Sequence, residues 1–201
     1  MALETPDSLL AFWIGDAATS PEAAKAKNKL WFRKSFLTDT LIAERFLPTL
    51  AALAGGLAYE WAVASPRARL AAIIALDQFP RNIFRGTAGA FELDGKALDL
   101  AMHGIMLAQD LELAPVERQF FYMPLEHSER AADQDLCVDA FQSALADAPE
   151  GFKPHIQDAL GYAVKHKDVI EKFGRFPHRN KVLGRTSSEA EVAWLKTNGG
   201  F

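Results

Sequence analysis

Three times in the first third of the chain, a serine or threonine stands directly before a proline. The dipeptides are Thr5-Pro6, Ser20-Pro21 and Ser65-Pro66. A hydroxyl side chain caps the first free amides of a helix, and proline suits the first helical position because it has no amide hydrogen to leave unpaired. Apolar residues then recur every three or four positions, and no alternating strand pattern of useful length appears. The chain is therefore predicted to be all-α, with about eight to ten helices in antiparallel hairpins.

Three ionisable residues fall on the apolar faces of these predicted helices. Asp77 shares a face with the isoleucines of its helix, while His127 and His166 continue the apolar stripes of two later helices. A carboxylate in an apolar environment is costly unless it is paired. Asp77 is therefore predicted to pair with Arg81 or with Arg175.

Two stretches share an unusual pattern of Phe-Pro, then Arg-Asn, then Arg beside Gly, followed by Thr. The first signature covers residues 78–87 and the second covers residues 173–186. They lie nearly half the chain apart, which predicts two pseudo-equivalent halves. Proline interrupts a helix, and Asn82 and Asn180 are predicted to cap the short helical turn that follows.

Each signature is expected to place a helix N-terminus beside guanidinium groups. Free amides, the helix dipole and arginine side chains are the ingredients of a phosphate or carboxylate site. If the two halves face each other, the arginines of both signatures converge on one small anionic ligand. The predicted ligand-binding residues are Asp77, Arg81, Asn82, Arg85, Arg175, His178, Arg179, Asn180 and Arg185.

The segment Glu126-His127 and the later His166 supply groups for proton transfer. Either histidine is a candidate general acid or base, oriented by Asp77 or Glu126. Imidazoles with carboxylates also suit a divalent metal, but no two histidines have the spacing of a helical metal motif, so no metal ligands are assigned. The sequence has neither a P-loop nor a dinucleotide fingerprint, and it leaves any cofactor unknown.

The composition fits one globular domain spanning residues 1–201, with 49% hydrophobic and 24% charged residues. A net charge of −4 argues against general nucleic-acid binding. The single cysteine, Cys137, permits no internal disulfide and fits a reducing compartment. No signal peptide and no apolar run long enough to span a membrane are expected, so a cytoplasmic location is predicted.

Three long segments resemble one known family. Residues 76–86, residues 120–129 and residues 173–185 are similar to motifs of the bacterial domain-of-unknown-function 924 (DUF924) family, and the similarity extends over almost the whole chain. The resemblance implies an all-α fold similar to tetratricopeptide-repeat hairpins. It implies no reaction, since the family brings no established activity.

Three functions remain open at this stage, and whether the protein is an enzyme is undecided. The first is a site for a small phosphate- or carboxylate-bearing ligand, formed by the two signatures and the Glu126-His127 segment, with possible acid–base chemistry. The second is a helical adaptor for a peptide or protein partner, in which the signatures are architectural corners of the fold. The third is a divalent-metal-dependent enzyme.

Overall fold

The computed structural model describes residues 3–198. Within that range the regular structure is entirely helical, which confirms the all-α class. The eleven α-helices, numbered in chain order, are α1 (Pro6–Trp13), α2 (Pro21–Phe32), α3 (Phe36–Ala52), α4 (Ala58–Ala64), α5 (Pro66–Asp77), α6 (Phe79–Ile83), α7 (Asp94–Met106), α8 (Pro115–Glu126), α9 (Ala131–Asp147), α10 (Lys153–Phe173) and α11 (Glu189–Asn198).

The hydroxyl-proline signals start helices as predicted. The side-chain oxygens of Thr5, Ser20 and Ser65 accept hydrogen bonds from backbone amides three residues later, at 3.2, 3.2 and 3.1 Å. In each case the following proline occupies the first helical turn. These caps satisfy amides that would otherwise have no partner within the helix.

Helix α5 forms the centre of the fold. Every residue from Ala68 to Asp77 is buried, and the helix packs against α1, α4, α7 and α8. A helix that is buried on all sides needs neighbours on every face, which explains its mostly apolar composition. Its last residue, Asp77, therefore ends inside the protein, where a carboxylate requires partners.

The second half of the chain packs as successive helices. Helix α8 contacts α9, and α9 contacts the long helix α10, which leads into the second signature. Gly174, with a φ of 68°, ends α10 in the left-handed conformation that glycine adopts most easily. The single-domain assignment, the equivalence of the two halves and the likeness to tetratricopeptide hairpins stay predictions.

The helical stretch Phe36–Ala64 is the one segment of the described residues that is long and apolar enough to cross a membrane, with a mean hydropathy of 1.3. The expectation that no such run exists was therefore wrong as a statement about length and composition. Helical turns continue from α3 to α4 through Leu53–Leu57, so the two count as one stretch, although Gly56, with a φ of 134°, kinks it there. A core helix passes the same test, and Ile42, Phe46 and Leu50 of α3 lie in the core.

Gly104 lies at a tightly packed point of α7 and generates the first prediction. A Cβ atom placed there would lie 2.3 Å from Cζ of Phe121 and 2.8 Å from Cδ of Arg69. Although alanine favours a helix over glycine, Gly104→Ala is expected to reduce the free energy of unfolding by about 1–3 kcal/mol, because the packed ring and guanidinium stem must move. Urea unfolding of the purified variant measures this change.

Gly161 of α10 is the matched control, since an added Cβ meets nothing within 4 Å. Gly161→Ala is expected to leave the protein unchanged or to stabilise it by up to about 1 kcal/mol. Equal effects of the two substitutions would show that α7 is not tightly packed at Gly104.

Candidate functional site

A cleft of about 770 Å³ opens where the second signature meets the start of α7 and the end of α8. Its size is typical of small-molecule sites. The ionisable and polar groups on its walls are Glu92, Asp94, His127, Ser128, Glu129, Arg130 and Arg179. Its apolar surface comes mainly from Phe91, Leu98, Pro124 and Leu183.

Asp77 and His127 form a buried pair at the inner side of this cleft. Nδ1 of His127 lies 2.7 Å from Oδ1 of Asp77, which also has Arg81 Nη1 at 3.4 Å. Gln78 donates to the second oxygen of Asp77 at 2.5 Å. The predicted pairing of Asp77 with Arg81 is confirmed, whereas Arg175 pairs elsewhere.

The protonation of this pair follows from its charges. Burial acts to raise the pKa of Asp77, but the positive charge of Arg81 and the contact with His127 hold that pKa far below its usual range. Burial and Arg81 lower the pKa of His127. At neutral pH a neutral His127 therefore donates its Nδ1 proton to an ionised Asp77. This leaves Nε2 as a lone-pair acceptor, and Nε2 makes no hydrogen bond with any residue in the range 3–198.

Arg81 connects Asp77 to the wall of the cleft. Its Nη1 and Nη2 bind the two oxygens of Asp94 at 2.8 and 3.0 Å, and Nη1 also donates to the Asp77 carbonyl. Such a two-point contact is the strongest arrangement of guanidinium and carboxylate. It fixes the first signature against the start of α7.

Arg179 is the arginine of the second signature that reaches the cleft. Its guanidinium carbon lies 4.6 Å from the ring centroids of both Phe91 and Phe176, so the group is held between two aromatic faces. The residue is only 7% exposed. Burial, together with the neighbouring Arg81, lowers the pKa of Arg179 to about 10, which shows how poorly its charge is compensated.

The hydrogen bonds of Arg179 are correspondingly few. Nη1 lies 3.4 Å from an oxygen of Asp94 that Arg81 already binds. Nε is buried without an acceptor, and within residues 3–198 Nη2 has no hydrogen-bond partner either. Arg179 thus presents donors that the described protein does not use.

The other three signature arginines do not converge on the cleft. Arg85 binds Asp39 at 2.7 Å, Arg175 binds Glu191 at 2.6 and 2.8 Å, and Arg185 binds Glu129 at 2.7 and 3.0 Å. The prediction that all five arginines meet is therefore wrong. Each of these three has its own carboxylate, and that pairing holds α3, α11 and the loop after α8 in place.

The two asparagines also have different roles from the predicted caps. Asn82 lies inside α6 and donates to Asp39 at 2.8 Å. Asn180 follows a 3-10 turn and donates to Ser187 at 3.1 Å and to Glu191 at 3.3 Å. Both fix segments to each other, because proline lies in the first turn of each short helix and leaves the asparagine after the cap position.

Glu126, His166 and His178 lie behind the cleft. Nδ1 of His166 is 3.1 Å from Glu126 Oε1 and 2.9 Å from the carbonyl of Tyr162. The ring of Phe176 lies between the two histidines, with centroid distances of 5.5 and 5.7 Å. Of the three predicted acid–base residues, His127 alone lines the cleft.

Burial dominates the protonation of this rear group. It raises the pKa of Glu126 to about 8, with the charge of Asp77 acting in the same direction. It lowers the pKa of His166 to about 3 and that of His178 to about 4. At neutral pH Glu126 therefore keeps its proton and the two histidines are neutral, so Glu126 is no counter-ion for His166.

Several cleft residues were missed from the sequence. The position of Asp94 before a helical run predicts a cap, yet its side chain caps nothing and binds Arg81 instead. Phe91 lies in a short apolar turn that carries no signal of its own. The signal that could have pointed to Asp94 is the signature arginines, since buried guanidinium groups require carboxylates.

Among residues 3–198 no group of three or more His, Cys, Asp or Glu side chains is placed to hold a metal ion.

The comparisons place the chain among proteins without an assigned activity. A family model described as a bacterial protein of unknown function (DUF924) matches residues 9–199. A solved structure of a protein of unknown function from Agrobacterium tumefaciens is 32% identical, with a TM-score of 0.75, and the match covers 91% of this chain and 98% of that chain. No curated protein matches. The chain belongs to the bacterial DUF924 family.

Proposed function

We propose that the cleft binds a small ligand bearing a carboxylate or phosphate group, with its negative charge at Arg179. The observation that supports this most is the state of Arg179, which is buried between two rings but leaves Nε and Nη2 without acceptors in the described structure. A buried, poorly paired charge is costly to the fold. A ligand oxygen would supply the missing acceptor.

The comparison with the other arginines supports the same proposal. Arg81, Arg85, Arg175 and Arg185 each contact a carboxylate at 2.6–2.8 Å, whereas the nearest carboxylate oxygen to Arg179 is at 3.4 Å. Among residues 3–198, Arg179 shares its nearest carboxylate, Asp94, with Arg81, which already binds it at two points. Four arginines stabilise the fold, and the fifth is left with spare donors beside an open cleft.

His127 gives the same site a group for proton transfer. Asp77 holds the Nδ1 proton, so Nε2 carries the free lone pair on the side of the cleft. A histidine oriented by a buried carboxylate in this way is suited to accept a proton from a bound ligand. In this proposal Arg179 positions the ligand and His127 is the general base. Glu126 and His166 do not contact the ligand and form part of the buried environment of the Asp77–His127 pair.

The binding step is tested by calorimetric titration of carboxylate- and phosphate-bearing metabolites into wild-type protein and Arg179→Met. Loss of charge-assisted hydrogen bonds is expected to weaken binding by about 10- to 100-fold, whereas methionine keeps the contact with the two rings. Arg85→Met is the matched control, because Arg85 belongs to the first signature but binds Asp39 away from the cleft. Equal losses in both variants, or binding by neither wild type nor control, would contradict the proposed site.

The protonation of Glu126 is tested by the pH dependence of stability. The folded protein keeps the Glu126 proton up to about pH 8, whereas the unfolded chain releases it near the ordinary pKa of 4.5, so this residue reduces stability as the pH rises between those values. Glu126→Gln removes the effect. Its free energy of unfolding should exceed that of wild type by on the order of 2–3 kcal/mol at pH 7.

The difference between wild type and Glu126→Gln should shrink as the pH falls and should approach zero below about pH 4.5, where both the folded and the unfolded state of wild type are protonated. Urea unfolding at a series of pH values provides the measurement. A glutamine variant that is less stable than wild type at pH 7 would show that Glu126 is ionised and paired, contrary to its assignment as a neutral acid.

A further inference from the structure

We infer that the ligand of this cleft is a monocarboxylate with an apolar body, rather than a phosphate. This inference rests on the proposed function, which leaves the two anions open, and it follows from the charges and surfaces around Arg179. The decisive features are one cation with spare donors, several carboxylates nearby, and apolar walls.

The charge balance of the cleft favours a ligand with a single negative charge. Of its ionisable groups, Arg130 is bound to Asp133 at 2.7 and 2.8 Å, and Glu129 is bound to Arg185 at 2.7 Å. Among the described cleft residues, Arg179 is thus the buried cation left to meet a ligand, whereas Arg130 lies at the exposed rim and binds Asp133 at two points. A doubly charged phosphate would have one buried cation to neutralise it. It would also lie near the carboxylates of Asp94 and Glu129, and like charges at close range repel each other.

The geometry of the spare donors points the same way. Within the described part of the chain, Nε and Nη2 are the two nitrogens of Arg179 without acceptors, and they belong to one edge of the planar guanidinium. Two parallel N–H groups on one edge match the two oxygens of a carboxylate. A phosphate presents more acceptor oxygens and is usually met by several cations or backbone amides.

The rest of the cleft suits an apolar body. The cleft has an apolar wall next to Arg179, formed by Phe91, Leu98, Pro124 and Leu183. Leu183 is 38% exposed, so a ligand would bury surface that now faces water. A volume of about 770 Å³ exceeds what a carboxylate group alone would fill. The site therefore fits an aliphatic or aromatic acid of medium size.

The test is a calorimetric titration of straight-chain carboxylates from acetate to octanoate into the full-length protein, with octanol and inorganic phosphate as comparison ligands. Affinity should rise about fourfold for each added methylene until the cleft is filled. Octanol should bind at least about tenfold more weakly than octanoate, because it cannot use the charge of Arg179. Inorganic phosphate should give no measurable binding.

Two variants separate the two parts of the inference. Leu183→Ala removes part of the apolar wall at a partly exposed position and should reduce the gain per methylene, whereas Arg179→Met should abolish the preference for octanoate over octanol. Phosphate binding that depends on Arg179 without any chain-length dependence would overturn the monocarboxylate but keep the proposed function. Equal binding of octanol and octanoate would overturn the inference, and failure of every anion to bind would overturn both.

Discussion

Asp77 ends the central helix inside the protein, with only 1% of its surface exposed. A carboxylate there must be paired, and its partners come from two further elements: Arg81 of α6 and His127 after α8. Arg81 in turn binds Asp94 at the start of α7. Asp94 then makes a longer contact with Arg179 of the second signature. One buried charge thus requires a chain of alternating charges that runs from the core to the cleft.

The end of that chain explains why the two signatures are unequal in function. In the first signature, Arg81 and Arg85 are both bound by carboxylates of neighbouring helices. In the second, Arg175 is bound by Glu191 of α11 and Arg185 by Glu129 in the loop after α8. Arg179 instead lies between Phe91 and Phe176, and two of its nitrogens have no acceptor among the described residues. Four of the five arginines are therefore paired with carboxylates of the protein itself, as the architectural interpretation of the signatures predicts. The anion-binding proposal now depends on Arg179 and on the neighbouring His127.

The sequence was sufficient for the all-α class, for the helix starts marked by a hydroxyl residue and proline, and for contacts within a few residues, whereas eleven α-helices form within residues 3–198 where about eight to ten were predicted. Hydroxyl-proline caps are local, and Arg81 lies one helical turn from Asp77, so their pairing follows from spacing. Which carboxylate reaches Arg85, Arg175 or Arg185 depends on how helices pack, and no periodicity encodes that. For the same reason the sequence did not identify Asp94 and Phe91 as cleft residues. It also could not show that Glu126 and His166 lie behind the cleft and do not line it.

The central claim is that Arg179 serves ligand binding and contributes little to the stability of the fold. The free energy of unfolding of Arg179→Met, measured without ligand, tests this claim directly. Asp94 keeps both hydrogen bonds from Arg81 in this variant, and methionine removes a poorly compensated buried charge. Stability should therefore stay within about 1 kcal/mol of wild type or increase. Arg175→Met, which leaves the buried Glu191 without its arginine, should be clearly less stable. A loss of stability in Arg179→Met as large as that in Arg175→Met would contradict the account.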